Sequence, residues 1–298
     1  MHVPSTGSMR HVTIVEVGPR DGLQNEARII PTSTKVAFVE ALAASGLAVV
    51  EATSFVNPRA VPQLADAAEV MTTVRRQNGV RYPVLIPNVK GLERARATGV
   101  EAIALFTSAS DSFAQANIGT TIDGSFQRFI PIMQQARTDG LWVRGYVSVA
   151  FGCPYAGSVA PETAIAVAAR LYDLGCHEVA LADTIGVATP ETVDRLLQTA
   201  TRSLPINRLA LHFHDTAGRA IDNVAAALAH GITVFDAAAG GLGGCPFAPG
   251  SPGNVATEAI IEFFEGQSIP TGVDGLAVAA ATAALREQLN QASPAGVS

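Results

Sequence analysis

Two histidines separated by one residue are the side chains best suited to chemistry in this sequence. His212 and His214 end an apolar stretch that is typical of a β-strand. Residues i and i+2 of a strand point to the same side, so these imidazoles would lie about 7 Å apart. Such a pair can bind one metal ion. The alternative is a pair of hydrogen-bonded histidines that binds no metal.

Oxygen ligands for the same ion are available from Asp21 and Asn254. A set of two imidazoles, one carboxylate and one amide contains no thiolate, unless Cys245 joins it. Oxygen ligands favour Mg²⁺ or Mn²⁺, and the imidazoles also tolerate Zn²⁺ or Co²⁺.

Charged residues at the ends of other predicted strands are further candidates. Arg20 and Asp21 form either a structural ion pair or a functional unit, in which Asp21 binds the metal and Arg20 stabilises developing negative charge. Glu51 would be a buried carboxylate paired with Arg20. Asp183 is a weaker candidate, because aspartate is also a preferred cap for the helix that follows a strand. Arg144, within a strand, needs an acidic partner, and we expect Glu51 or Asp183.

Cys245 lies in a glycine-rich segment, Gly-Gly-Leu-Gly-Gly-Cys-Pro at 240–246. Glycines make such a loop mobile, so it could close over a site as a lid. A free cysteine is usually an inert buried residue, but this position favours a function. Cys153 and Cys176 have no chemical context and are expected to be structural.

Short apolar runs alternate along the chain with segments of helical character. Strands are predicted at 12–17, 47–52, 82–86, 101–106, 141–150, 177–183, 208–214 and 232–238. Helices are predicted near 32–45, 63–77, 89–99, 123–138, 161–174, 189–203, 217–230 and 254–265, with an added helix at about 274–291.

Eight β-then-α units predict an α/β fold, a (β/α)₈ TIM barrel with an additional C-terminal helix. A doubly wound open sheet is the alternative, but no Gly-x-Gly-x-x-Gly turn follows the first strand. We expect a single domain over residues 1–298, with the barrel at about 11–266 and a helical extension at about 267–298. A barrel would bring all the candidates above to one mouth, because the loops after its strands share one end.

Composition excludes several classes of protein. Of the 298 residues, 48% are hydrophobic and 15% charged, which is incompatible with disorder. The net charge of −6 is spread along the chain, so nucleic acid and membrane are not expected partners. Three cysteines form no disulfide framework, and the N-terminus lacks a signal-peptide pattern. We therefore expect a cytoplasmic protein. We also expect a homo-oligomer.

Several motifs, in order, closely resemble the 3-hydroxy-3-methylglutaryl-CoA lyase family. The first is Val-Glu-Val-Gly-Pro-Arg-Asp-Gly-Leu-Gln-Asn-Glu at 15–26. Further blocks lie at 53–55, 82–85, 143–148, 152–155, 183–187, 212–216, 241–246, 253–254 and 256–258. The resemblance extends from about residue 11 to about residue 290.

This resemblance implies the same barrel fold, an acyl-CoA substrate, and retro-Claisen cleavage to acetyl-CoA and acetoacetate, as in leucine degradation. It implies a divalent metal on a set of four residues, Asp21, His212, His214 and Asn254. It implies that Arg20 stabilises an enolate, that Glu51 orients Arg20 and that Asp183 lies near the substrate. His212 and Cys245 would handle protons, and Asn117 would lie along the CoA path.

Four departures from the family pattern leave more than one acyl-CoA as the candidate substrate. Phe213 stands where many relatives have cysteine, Phe247 where tyrosine is common, Ala27 where lysine is common and Ala182 where glycine is common. One alternative is a lyase for a related tertiary hydroxyacyl-CoA, such as citramalyl-CoA. A Claisen-type synthase and a catalytically inactive acyl-CoA-binding protein are others.

Overall fold

A parallel sheet is the centre of the fold. The computed structural model describes residues 11–243 and 253–291 of the chain. Nine strand segments form this sheet: β1 (Thr13–Glu16), β2 (Val49–Val50), β3 (Thr53–Ser54), β4 (Val84–Leu85), β5 (Ala102–Ser108), β6 (Trp142–Ser148), β9 (Glu178–Asp183), β10 (Leu209–Phe213) and β11 (Val234–Ala237). β7 (Gly152–Cys153) and β8 (Gly157–Ser158) form a separate antiparallel hairpin. All eight predicted strands are therefore confirmed.

The sheet closes on itself at its second strand, which is in two pieces. β2 pairs with β1, and β3 pairs with β4. Between these pieces, the Glu51 amide donates to the Glu16 carbonyl on one side, and the Ala52 amide donates to the Pro83 carbonyl on the other. The second strand is thus bonded to both neighbours, and the result is the predicted eight-stranded α/β barrel.

Helices surround the barrel. They are α1 (Thr32–Ala44), α2 (Ala67–Thr73), α3 (Val89–Arg96), α4 (Asp111–Ile118), α5 (Ile122–Thr138), α6 (Pro161–Leu174), α7 (Pro190–Ala200), α8 (Ala220–Ala229), α9 (Thr257–Gly266) and α10 (Gly275–Gln291). Each predicted helix is confirmed, including the added C-terminal helix, which packs against α1 and α9. Among the described helices, none is both long enough and apolar enough to span a membrane.

α4 and the hairpin of β7 and β8 were not predicted. α4 is a two-turn helix that the Ser110 side chain caps by accepting the Phe113 amide. The hairpin of β7 and β8 follows the sixth strand segment directly. Both are too short to show a clear hydrophobic period, and both lie in the connections at the mouth, where function shapes the chain more than core packing does.

The barrel interior carries an unusual mixture of small and charged side chains. One interior layer contains Leu85, Tyr146 and three alanines, at 104, 180 and 210. The alanines leave room for the guanidinium of Arg144, which is fully buried. A polar network therefore occupies the barrel centre, where branched aliphatic side chains usually pack.

Candidate functional site

A cavity of about 650 Å³ opens at the carboxyl ends of the barrel strands. Arg20 and Asp21 line it from a π-helical turn, Gly18–Gly22, that follows β1. In this turn three successive amides, those of residues 20, 21 and 22, donate to the single carbonyl of Val17. The turn brings Asp21 close to His212 and His214, which line the same cavity.

Three ligand atoms converge at one side of the cavity. One atom each from Asp21, His212 and His214 lies within 4.8 Å of the others. The rings of the two histidines are 5.3 Å apart between centroids. The predicted pairing of these imidazoles on one face of a strand end is thus present in the structure.

Asn254 joins this cluster through the glycine-rich segment. Its Nδ2 donates to Asp21 Oδ2 at 2.8 Å and to the Leu242 carbonyl at 3.0 Å. Gly243 has φ +94°, and a Cβ there would lie 2.8 Å from Asn254 Nδ2. A glycine is therefore required at position 243 for the amide to reach the aspartate.

Two buried polar atoms of the cluster are left without a hydrogen-bond partner. They are His214 Nδ1 and Asn254 Oδ1, and no partner for either exists in the described part of the chain. Buried polar atoms are nearly always satisfied, so unpaired lone pairs need an explanation. A cation beside Asp21 would satisfy both, and the donor set of imidazole, amide and carboxylate fits a divalent metal.

The protonation of these groups also suits a cation. Burial raises the pKa of Asp21, but Arg20, the two histidines and the amide of Asn254 outweigh it and lower that pKa to about 2. Burial, together with His212, lowers the pKa of His214 to about 4. At neutral pH, Asp21 is therefore a carboxylate and His214 is neutral with a free lone pair.

Arg20 is fixed in the cavity wall by two carboxylates. Its Nε donates to Glu51 Oε1 at 2.9 Å, and its Nη1 donates to Asp21 Oδ1 at 2.5 Å. Burial opposes its charge, but Glu51 and Asp21 raise the pKa of the guanidinium above its already high value. Arg20 is thus a permanent and immobilised cation, and its expected pairing with Glu51 is present.

Arg144 has acidic partners, as expected, but the two that were expected, Glu51 and Asp183, were wrong. Its partners are Glu178 at 2.7 Å, the Tyr146 hydroxyl at 2.7 Å and Asp236 at 2.6 Å. Strand register explains the difference, because Arg144 lies opposite Glu178. Asp183 is five residues further along that strand, roughly 16 Å away.

Tyr146 and Asp236 are two site residues that sequence reasoning missed. The Tyr146 hydroxyl donates to Glu51 Oε2 at 2.5 Å, and Asp236 Oδ2 lies 3.2 Å from His212 Nδ1. An available signal was Asp236 itself, an acidic residue inside an otherwise apolar predicted strand. The other signal was Tyr146, two positions from Arg144 and so on the same side of its strand.

Asn117 is part of the cavity lining, whereas Asp183 is buried and is not among the lining residues. Both carboxylate oxygens of Asp183 accept backbone amides, those of Val187 and Ala188, at 2.9 Å each. Burial raises the pKa of Asp183 to about 6. Asn117, on α4, lines the cavity. Cys245 and Phe247 lie outside the described residues.

Glu16 links three segments of the site through hydrogen bonds to its carboxyl group. Its Oε1 accepts the amides of Gly18 and Ala239 at 2.8 and 2.9 Å, and its Oε2 accepts the Thr257 hydroxyl at 2.6 Å. These donors belong to the turn of Arg20, to the residue just before the glycine-rich segment and to the start of α9. Glu16 is fully buried, and burial raises its pKa to about 7.

Comparison with known proteins assigns this chain to a family. The family model described as HMGL-like matches residues 11–286. The cytoplasmic 3-hydroxy-3-methylglutaryl-CoA lyase of Rattus norvegicus is 50% identical over 269 residues, which are 90% of this chain and 78% of that protein.

Solved structures agree. The HMG-CoA lyase of Brucella melitensis has a TM-score of 0.92 and 50% identity, covering 95% of this chain and 99% of that one. An HMG-CoA lyase from Acinetobacter baumannii, solved with coenzyme A and 3-methylmalate, has a TM-score of 0.89 and 37% identity, covering 100% of this chain and 96% of that one. The chain belongs to the HMGL-like family.

Proposed function

We propose that this chain is a divalent-metal-dependent carbon–carbon lyase that cleaves 3-hydroxy-3-methylglutaryl-CoA to acetyl-CoA and acetoacetate. The observation that carries this proposal is the immobilised cation of Arg20 beside the cluster of Asp21, His212 and His214 in one cavity. Half of the 269 aligned residues are identical in a relative of that name. The products are those expected of leucine degradation.

Asp21, His212, His214 and Asn254 would hold the metal, and Mg²⁺ or Mn²⁺ suits their oxygen content. When bound, such an ion supplies Lewis acidity toward substrate oxygens. The unpaired His214 Nδ1 and Asn254 Oδ1 support the assignment.

Arg20 would stabilise the charge that develops during cleavage. The tertiary hydroxyl gives its proton to solvent in the open cavity and becomes the ketone of acetoacetate. The carbon–carbon bond breaks, and its electron pair forms the enolate of acetyl-CoA. The guanidinium is held by Glu51 and faces the cavity, so it needs no rearrangement to stabilise the enolate oxygen.

A proton must then reach the enolate carbon, and Cys245 and His212 are the candidates. His212 Nδ1 already lies 3.2 Å from Asp236 Oδ2. Its other nitrogen would bind the metal, so neither would be free to deliver a proton. This favours Cys245 as the acid. The places of Asp183 near the substrate and of Asn117 along the CoA path remain proposals.

The compartment, assembly and boundaries are also proposals. We propose one catalytic domain that acts in the cytoplasm as a homo-oligomer on an acyl-CoA. The names of the relatives include both cytoplasmic and mitochondrial enzymes. Ala182, which departs from the family pattern, lines the cavity. A related tertiary hydroxyacyl-CoA is therefore the second candidate substrate.

The test is to remove metal with a chelator, restore Mg²⁺ or Mn²⁺, and follow acetoacetate release from 3-hydroxy-3-methylglutaryl-CoA. Citramalyl-CoA and longer 3-substituted glutaryl-CoA thioesters are assayed in parallel. Preferred cleavage of one of these would replace the proposed substrate. Condensation without cleavage would indicate a Claisen-type synthase. Binding of every thioester with no turnover would indicate an acyl-CoA-binding protein.

A further inference from the structure

We propose that Asp236, held in place by Arg144, is a positioning residue that fixes His212 with its proton on Nδ1 and its lone pair on Nε2. This inference rests on the proposed metal site and not on the identity of the acyl-CoA. The proposed function uses the contact of Asp236 with His212 only to argue that His212 is not the acid, and it assigns no role to Arg144.

Register brings Asp236 to His212. These residues are direct partners in the pairing of β10 with β11, so their side chains stand on the same side of the sheet. Asp236 Oδ2 lies 3.2 Å from His212 Nδ1. A carboxylate can only accept a hydrogen bond, so a neutral His212 must carry its proton on Nδ1. The nitrogen that remains available to a cation is then Nε2.

Arg144 keeps Asp236 ionised and stationary. Its Nη2 donates to Asp236 Oδ1 at 2.6 Å, and both side chains are fully buried. The buried guanidinium places its positive charge directly against this carboxylate, which favours the ionised form of Asp236. The other carboxylate oxygen is thus left for His212 alone.

The two histidines differ in whether a carboxylate orients the imidazole ring. His212 is oriented by a buried carboxylate, whereas His214 Nδ1 has no partner among residues 11–243 and 253–291. Carboxylates of this kind fix the ring and strengthen a metal-bound histidine, and their loss weakens metal binding about 10–100-fold. Asp236 therefore acts on metal affinity through His212 without entering the cavity lining.

A matched control exists on the same arginine. Glu178 Oε1 accepts Arg144 Nε at 2.7 Å, and Glu178 lies opposite Arg144 in the pairing of β9 with β6. Asp236, the partner of His212, accepts a different nitrogen of the same guanidinium, Nη2. Asp236→Asn and Glu178→Gln each remove one ion pair of Arg144. Only Asp236→Asn changes the partner of His212.

The experiment measures Mn²⁺ binding by calorimetry on the full chain without acyl-CoA, for the unmodified protein and both variants. We expect Asp236→Asn to weaken binding about 10–100-fold, and Glu178→Gln to change it less than about threefold. Equal weakening by both variants, or an unchanged affinity in Asp236→Asn, overturns the proposal. An unmodified protein that binds no Mn²⁺ removes the proposed metal-dependent function itself.

Nitrogen NMR of ¹⁵N-histidine-labelled protein tests the tautomer directly, and needs no Asp236 variant to fold. The His212 signals are assigned by their loss in His212→Gln. In the metal-free protein, a proton on Nδ1 supports the proposal, and a proton on Nε2 overturns it. With Mg²⁺ added, the Nε2 shift should move while the Nδ1 proton stays.

Discussion

The Tyr146 hydroxyl donates to Glu51 Oε2 at 2.5 Å, while Glu51 Oε1 accepts Arg20 Nε at 2.9 Å. The same hydroxyl accepts Arg144 Nη1 at 2.7 Å. One phenol therefore links the arginine at the mouth to the arginine in the barrel centre. Glu51 cannot turn away from Arg20 without breaking the bond to Tyr146.

Tyr146→Phe removes that link while keeping the ring. Glu51 loses a short hydrogen bond, so Arg20 becomes less firmly oriented. We expect kcat to fall about 10–100-fold, less than the loss of a donor that contacts the reacting atoms directly. Bound Mn²⁺ should stay at the level of the unmodified protein, because in the described part of the chain the Tyr146 hydroxyl bonds to Glu51 and Arg144 and not to Asp21 or the histidines. A normal kcat would mean that Glu51 alone suffices to orient Arg20.

Arg20→Gln tests the role of the cation. Removing one preorganised donor costs about 10²–10³ in turnover. We expect that loss in kcat, with metal still bound and an unchanged fold by circular dichroism. Turnover near the original rate at saturating substrate would assign Arg20 to a structural ion pair with Glu51.

His214→Ala and Asp21→Ala each remove one proposed ligand. Losing one of about four ligands leaves an under-coordinated and labile ion. Both variants should contain less metal after gel filtration, measured by atomic emission, and should lose activity. His230→Ala is a suitable control, because His230 pairs with Asp194 on the helical layer, away from the cavity. Full metal occupancy in the ligand variants would exclude them from the metal site.

The barrel could be predicted because its signals are local. Each strand is a short apolar run, and glycines such as Gly175 and Gly231 end the helices in left-handed conformations, with φ +107° and +90°. The convergence of the side chains at the ends of those strands could also be predicted, because the functional residues of a barrel lie at one mouth.

The network beneath the mouth could not be predicted, because it depends on register and side-chain reach. Arg144 and Asp236 are 92 positions apart and meet across the barrel interior. Whether Arg144 reaches Asp236 or Asp183 is decided by a shift of a few residues between strands. The roles of Asp183, Asn117 and Cys245 also stay predictions, since contacts with substrate are needed to test them.

Glu16→Gln tests a buried carboxyl whose pKa of about 7 lies well above the ordinary value of 4.5. Between those pH values the folded protein binds more protons than the unfolded chain, so the stabilising contribution of Glu16 is complete below pH 4.5 and is lost as pH rises through 7. Glutamine resembles the protonated acid and does not titrate. Relative to the unmodified protein, the variant should gain on the order of 3 kcal/mol in unfolding free energy between pH 4.5 and 8.

Urea unfolding at pH 5 and pH 8, with chelator present, measures the Glu16 difference. Both proteins contain His214 and Asp183, so the titration of these two residues cancels in the difference between their unfolding free energies. A stability difference that is the same at both pH values would show that Glu16 is ionised throughout this range.

Alkylation tests Cys245 and the glycine-rich segment that carries it. Cys153 and Cys176 are each 3% exposed, and burial raises the pKa of Cys176 to about 12. Iodoacetamide should therefore label mainly Cys245, as read by peptide mass spectrometry, and should abolish activity. Acyl-CoA should block labelling if the segment closes over it.

Cys245→Ala separates a proton donor from a lid. Loss of the thiol should lower kcat with little change in KM, because the glycines and prolines of the proposed lid are unaltered and only the acid is gone. Cys153→Ser is the control and should keep most of the activity and the labelling of Cys245. If labelling leaves activity intact, or if acyl-CoA gives no protection, Cys245 is a packed loop residue. His212 then becomes the candidate acid, and its bond to Asp236 must open during turnover.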